Sequence, residues 1–295
     1  MFDRLKGKGK GASGPSDAPP GYEQAVGNPR FEKGDLVLVS ADRIKFNVPS
    51  EKLYSASPTF RELASSDKGA NEYGGRTITF ADQATENAHI IRLFLTLISD
   101  GSVDQNELAQ AQKLDTSLCY PNVDDVILAS VPLAQFLIRY NADGALMSLK
   151  NWAARLMISN GGEESTGGVL LGAVADDPEL VAVALDVRQN DGTRWRWDYA
   201  LDEAQDRSLL ADPAQPVCGV ALVDPASWSW RVSQLMPADY AWAVGRAWSN
   251  VGDSPQLADR FRIAFRAARI AAPGSGSRTP QYAPPAGPPP GKGKN

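Results

Sequence analysis

The sequence predicts an α+β chain in which a short β-sheet with a helical cluster is followed by a mainly helical region. Three observations carry that expectation. Residues Arg43-Ile-Lys-Phe-Asn-Val48 alternate apolar Ile44, Phe46 and Val48 with polar neighbours, the period of a half-buried strand. The segment from Ala88 to Ile98 is apolar nearly all round, as in a helix enclosed on most sides. Leu146, Leu149, Trp152, Ala153 and Leu156 recur at three- and four-residue intervals, which marks an amphipathic helix from about Asp143.

The remaining elements follow in order along the chain. Asp35-Leu-Val-Leu-Val39 reads as a strand, and Ser40-Ala-Asp42 as the turn that joins it to 43–48 in a hairpin. Pro49 and Ser50 open a short helix over 51–57, and Pro58 restarts a second that runs to Ala64, since proline suits the first helical turn. Thr77-Ile-Thr-Phe80 is a third strand. After the apolar helix a polar stretch from Asp100 to Asn122 interrupts. Asp124 is then expected to cap a helix that reaches Ile138, kinked at Pro132, whose ring removes a backbone donor.

That order, carried by Gly34-Asp35-Leu-Val-Leu, Phe46-Asn-Val-Pro-Ser-Glu-Lys-Leu53, Ser57-Pro-Thr-Phe60 and Ile78-Thr-Phe-Ala-Asp82, resembles the BTB/POZ family over residues 31 to about 158. The most specific piece is the strand at Asp35 followed by the leucine helix and the Ser-Pro-x-Phe turn ending at Phe60. The resemblance implies a protein-protein interaction domain that forms a homodimer or an adaptor, with Asp35, Leu53 and Phe60 at its interface and a cullin-type ubiquitin ligase among its partners. The sequence departs from the family at Pro49, where many members carry histidine, at Pro132, and in an insertion of about 20 residues over 100–122.

Beyond Gly161-Gly-Glu-Glu-Ser-Thr-Gly-Gly168, read as a linker or loop, the pattern is helical. Pro178 opens a helix over 179–187, Pro237 one to Trp248, and Ser254-Pro255 one to Ile270. This resembles the BACK-like extension of some BTB proteins, and Met236-Pro-Ala-Asp-Tyr240 resembles the segment after the BTB domain in fungal proteins of this kind. Trp195, Trp197, Trp228 and Trp230 read as core packing, with a protein-binding surface and then a small-molecule cage as alternatives. Arg260, Arg262, Arg266 and Arg269 beside Phe261 and Phe265 read as the solvated face of an amphipathic helix rather than a nucleic-acid contact.

Glycine and proline concentrate at the ends: 11 of 26 glycines and 11 of 21 prolines fall in residues 1–30 and 273–295, so both segments are expected to be disordered tails. These ends carry +2 and +3 of the formal net charge of −5, which leaves −10 for residues 31–272. Such a core repels phosphate backbones, so no nucleic-acid partner is expected. Within the first tail, Pro19-Pro20-Gly21-Tyr22 resembles the PPxY motif read by WW domains, in which a polyproline II segment docks in an aromatic groove and Pro19, Pro20 and Tyr22 make the contact. The Pro-rich stretch at 283–290 lacks a tyrosine in register and reads as a spacer.

Catalytic chemistry is poorly provided for. His89 is the single histidine and lies in the apolar helix, where a local hydrogen bond explains it better than a base. Cys119 and Cys218 are too few for a disulfide framework or, with one histidine, for an ordinary zinc site. The pairs Asp124-Asp125, Glu163-Glu164 and Asp176-Asp177 sit where capping accounts for them. No cofactor or metal is expected. No apolar run reaches transmembrane length and the N-terminus lacks the apolar core of a secretory signal, so the expected location is the cytoplasm, with the nucleus as alternative. The sequence therefore points to a non-enzymatic BTB/POZ-like interaction protein, with a self-associating transcriptional or chromatin co-regulator as the second reading. Its expected divisions are tail 1–30, BTB/POZ-like domain 31–158, helical domain 159–272 and tail 273–295.

Overall fold

The computed structural model describes residues 26–66, 76–114, 126–160, 164–190, 234–248 and 257–271. Both Pro19 to Tyr22 and the tail from 273, like Cys119, Cys218, Asp124, Asp125, Glu163, Trp195, Trp197, Trp228 and Trp230, lie outside the described residues. The class is α+β: a four-stranded sheet with helices. Among the described residues no helix is long and apolar enough to cross a membrane.

The strands are β1 (Val26–Glu32), β2 (Leu36–Val39), β3 (Ile44–Val48) and β4 (Arg76–Thr79), in the spatial order β1-β3-β2-β4. The β2–β3 hairpin pairs Leu36 with Val48 and Leu38 with Phe46, so the alternating apolar residues land together on the buried face. Its turn is closed by Ser40, whose Oγ accepts the Ile44 N–H at 2.8 Å, with Arg43 in the left-handed region at φ 64°. β4 joins β2 in parallel, matching Leu38 to Ile78. Such a connection needs a crossover, and α1 (Ser50–Ala56) and α2 (Pro58–Ser66) lie within it.

One boundary is corrected at the N-terminus. The expected tail ends at residue 30, yet β1 begins at Val26 and pairs parallel to β3, with an irregular register between Gly27 and Glu32. Glycine and Pro29 hide the strand from a composition count, because backbone pairing to β3 and the packing of Phe31 on Phe46, ring centroids 5.9 Å apart, supply what local propensity does not.

Helix α3 (Ala88–Asp100) starts where Asn87 Oδ1 accepts the Ile90 N–H at 3.0 Å and stops at Gly101, at φ 70°. The expected polar interruption contains α4 (Gln105–Leu114), whose first turn is capped by Asp104. Leu108, wholly buried, is its apolar foothold, too little for a periodic signal. The expected single kinked helix is two helices, α5 (Val126–Ala129) and α6 (Val131–Arg139). Pro132 sits in the first turn of α6, where its missing N–H costs nothing. α7 (Asp143–Ser159) follows as expected.

The expected glycine linker is corrected to a helix from residue 165, α8 (Ser165–Val174), with Gly167, Gly168 and Gly172 buried. A Cβ at Gly168 would lie 2.1 Å from Met157 Sδ, and one at Gly172 would lie 2.9 Å from the Val181 backbone nitrogen. These glycines let α8 lie hard against α7 and α9 (Pro178–Asn190). Helices α10 (Ala238–Trp248) and α11 (Leu257–Ala271) pack on each other, with α11 also on α9. Tyr240 lies 4.4 Å from Phe265 between ring centroids. One apolar core runs unbroken from Leu36 to Phe265, crossing the expected division at 158.

At the centre of the N-terminal part is an aromatic cluster of Phe60, Phe80, Phe94, Phe136 and Tyr140, in which Phe60 stacks on Tyr140 at 4.7 Å. Beside it lies Glu86, wholly buried. Its Oε1 accepts from the Tyr140 hydroxyl at 2.6 Å and Arg139 Nη1 at 2.7 Å, and its Oε2 from the N–H groups of Ala81 and Asp82 at 2.9 and 2.8 Å. Burial and this carboxylate push the Tyr140 phenol far above its ordinary range. Arg139→Ala strands the buried charge and is expected to cost about 3–5 kcal/mol, against about 1–3 kcal/mol for Tyr140→Phe. Urea denaturation of the two variants ranks them, and equal losses would remove Arg139 as the counter-charge.

Candidate functional site

A half-open cleft of about 370 Å³ lies where the ends of β1 and β3 meet α1 and the end of α3. Its floor is made by Val48, Leu53 and Leu95, all buried, with Phe31 and Ile98 half-buried at the sides. Arg30, Glu32, Lys33 and Lys52 are exposed at its edge.

Each wall is positioned by a local contact. Asp35 accepts the Ser50 N–H at 2.8 Å and its hydroxyl at 2.6 Å, so the start of β2 caps α1 in place of the side chain that Pro49 lacks. Gly34 presses on the end of β3, where a Cβ would stand 2.2 Å from the Val48 carbonyl carbon; no other residue leaves the Lys33 loop so close. Arg30 ties β1 to the helices through Asp100 at 3.0 Å and Glu107 at 3.5 Å. Burial holds the Glu107 carboxyl above its ordinary value, against the pull of Arg92 and Arg30.

The three residues expected at an interface fall in different places. Leu53 is the cleft floor and Phe60 the middle of the aromatic cluster, 1% and 0% exposed, so neither offers side-chain surface to a partner of the folded chain. Buried leucine and phenylalanine shape the surface from beneath, and the exposed residues of α1 beside them are Glu51, Lys52 and Ser55. Asp35 serves as the helix cap just described. Phe31 and Lys33 belong to none of the motifs that mark an interface in the sequence, and Arg30 lies within the expected tail; the Pro-Arg-Phe-Glu alternation ahead of Gly34 is the one signal that marks them.

Elsewhere the candidate chemistry resolves into structural roles. Asp177 caps α9 by accepting the Leu180 N–H at 3.0 Å and pairs with Lys150 at 2.8 Å. Asp176 accepts the Tyr240 hydroxyl at 3.0 Å and pairs with Arg269, which lies 2.9 Å from Asp239 and 4.8 Å over the Phe265 ring. Arg262 bridges Glu179 and Asp259, both at 2.9 Å. Two of the four arginines expected on a solvated face thus hold α11 to α9 and α10. Glu164 is buried and accepts from Asn160 at 2.7 Å. No group of three potential metal ligands occurs among the described residues.

His89 lies half-buried on α3 with Nε2 buried and unpartnered, so the expected local hydrogen bond is not formed at that atom. Burial, then repulsion from Arg92, brings its pKa down to about 4 from 6.5. The unfolded chain takes up this proton near pH 6.5 and the folded chain only near pH 4. Stability linked to His89 is therefore complete above pH 6.5 and drains away as pH falls through that window. His89→Gln is expected to flatten the pH dependence between those limits, by up to about 2 kcal/mol for a group still partly solvated. Thermal unfolding across a pH series measures this, and an unchanged slope would point to other groups.

Comparison of the chain with protein-family models, curated proteins and solved structures finds no match.

Proposed function

We propose that this chain is a non-enzymatic protein-interaction protein of the BTB/POZ type, which self-associates or acts as an adaptor through the face built by β1, α1 and the cleft between them. One observation supports the reading above the rest: the β2–β3 hairpin, with β4 added in parallel beside β2 and the α1–α2 pair in the crossover, repeats in space the order on which the sequence resemblance rests. The cleft adds to it. It places apolar floor and exposed charge side by side, the composition of a docking surface rather than of a dry catalytic pocket. A cullin-type ubiquitin ligase is the partner class that the resemblance suggests.

The full-length chain is the right material for a test, because cutting at residue 31 would remove most of β1. Light scattering over a concentration series is expected to give twice the 31.6 kDa chain mass, with a purified cullin retained on the immobilised protein. A monomer at all concentrations that retains no cullin would overturn both forms of the proposal.

The Pro19 to Tyr22 segment is proposed as a separate contact to a WW-domain protein, carried by four consecutive residues of the sequence. Tyr22→Ala is expected to abolish WW binding in a titration with a purified WW domain while leaving the mass of the chain unchanged. Binding that survives this substitution would dismiss the motif.

A further inference from the structure

We propose that the cleft between β1, α1 and α3 docks an acidic-apolar peptide segment of a partner protein, one apolar side chain resting on the half-buried Phe31 and Ile98 and the flanking carboxylates pairing with Lys33 and Lys52. The inference rests on the interaction reading above only in taking a protein as the ligand.

Shape and charge argue for it together. The apolar surface it offers belongs to Phe31 and Ile98, half-buried at its sides above a sealed floor of Val48, Leu53 and Leu95, and an apolar group set against them leaves water on that side. A volume of about 370 Å³ admits a few side chains, and the half-open form lets an extended chain enter and leave. Three cations stand at the edge against Glu32. Arg30 is already compensated by Asp100 and Glu107. Lys33 and Lys52 form no ion pair among the described residues.

That leaves two positive charges with no ion-pair partner among the described residues beside one apolar cleft, in a region 31–272 whose formal charge is −10. An acidic ligand is repelled by the surface at large and favoured here, which fixes where it binds as well as its sign. The same net charge disfavours polyanionic nucleic acid and an anionic membrane face, each of which would have to approach far more surface than the cleft. Gly34 completes the argument by holding the Lys33 loop against the end of β3, so the charge is presented from a fixed backbone.

The test is fluorescence anisotropy of a fluorescein-labelled Gly-Asp-Glu-Leu-Phe-Asp-Glu-Gly peptide titrated with the full-length chain at low salt. Saturable binding is expected, weakened about tenfold or more by Lys33→Glu with Lys52→Glu, and by less than about twofold by Lys45→Glu, which lies off the cleft. A Gly-Asp-Glu-Gly-Gly-Asp-Glu-Gly peptide, which has the charge without the apolar anchor, is expected to bind about tenfold more weakly or worse. Failure to saturate, equal binding of the two peptides, or indifference to the double reversal would overturn the proposal. So would saturable binding of labelled decanoate without the peptide, which would make the ligand a small amphiphile. Circular dichroism melts of each variant check that the fold is intact. Light scattering on the same samples separates the two readings: a dimer that ignores the peptide sinks this inference alone. A dimer that the double reversal dissolves, with no peptide bound, assigns the cleft to a second copy of the chain and overturns it too.

Discussion

The N-terminal half is organised around one buried carboxylate. Glu86 has no exposed surface, and burying a charge is costly unless it is paired and hydrogen-bonded. Four donors meet it from two places: Tyr140 and Arg139 at the end of α6, and the backbone N–H groups of Ala81 and Asp82 just after β4. Its own carbonyl accepts the Ala41 N–H at the hairpin turn, 3.0 Å away. The β2–β3 turn, the end of β4 and the end of α6 are thereby fixed to a single residue. Any slip of one element leaves a buried charge short of partners, which disfavours alternative packings more sharply than apolar contacts would.

The C-terminal helices repeat the device in a more exposed setting. Tyr240 donates to Asp176 as Tyr140 donates to Glu86, and Arg269 neutralises that carboxylate as Arg139 does the other. Each tyrosine ring is packed among phenylalanines, Phe60 and Phe136 for Tyr140, Phe261 and Phe265 for Tyr240. In both cases burial beside a carboxylate drives the phenol above its ordinary range, so the hydroxyl remains a donor. An aromatic ring filling the core while its hydroxyl reaches a charged edge joins apolar packing to orientation. The helices α10 and α11 are held to α9 in a defined pose, and the core continues across the junction without a break.

The cleft draws its shape from this rigidity. Its floor belongs to α1, α3 and β3, of which α3 carries Phe94 of the aromatic cluster and β3 is joined to Glu86 through the hairpin turn, while its outer wall is the edge strand β1. β1 has an irregular register, contains Pro29, and is clamped to α3 and α4 by Arg30.

The sequence by itself determined the α+β class, the hairpin, the α1–α2 pair, α3, α7 and the later helices, because each carries a period or a cap that can be read within a dozen residues. Ile44, Phe46 and Val48 spell a strand, and Asn87 followed by an apolar run spells a helix start. Tertiary structure alone decided β1, α4 and α8. β1 exists through its pairing with β3, α4 through its anchor at Leu108, and α8 because its glycines fit against Met157 and Val181, which turns helix-weakening residues into packing sites. The same holds for the cleft. Asp35, Leu53 and Phe60 were legible as important, but only burial separates a residue that supports a surface from one that forms it. Lys33 and Lys52 are 19 positions apart in the chain and meet at one site because Gly34 folds the start of β2 onto the end of β3. Local patterns record what a segment does with its own backbone; which distant segment completes it is decided by close packing and charge satisfaction, which act only once the chain is folded.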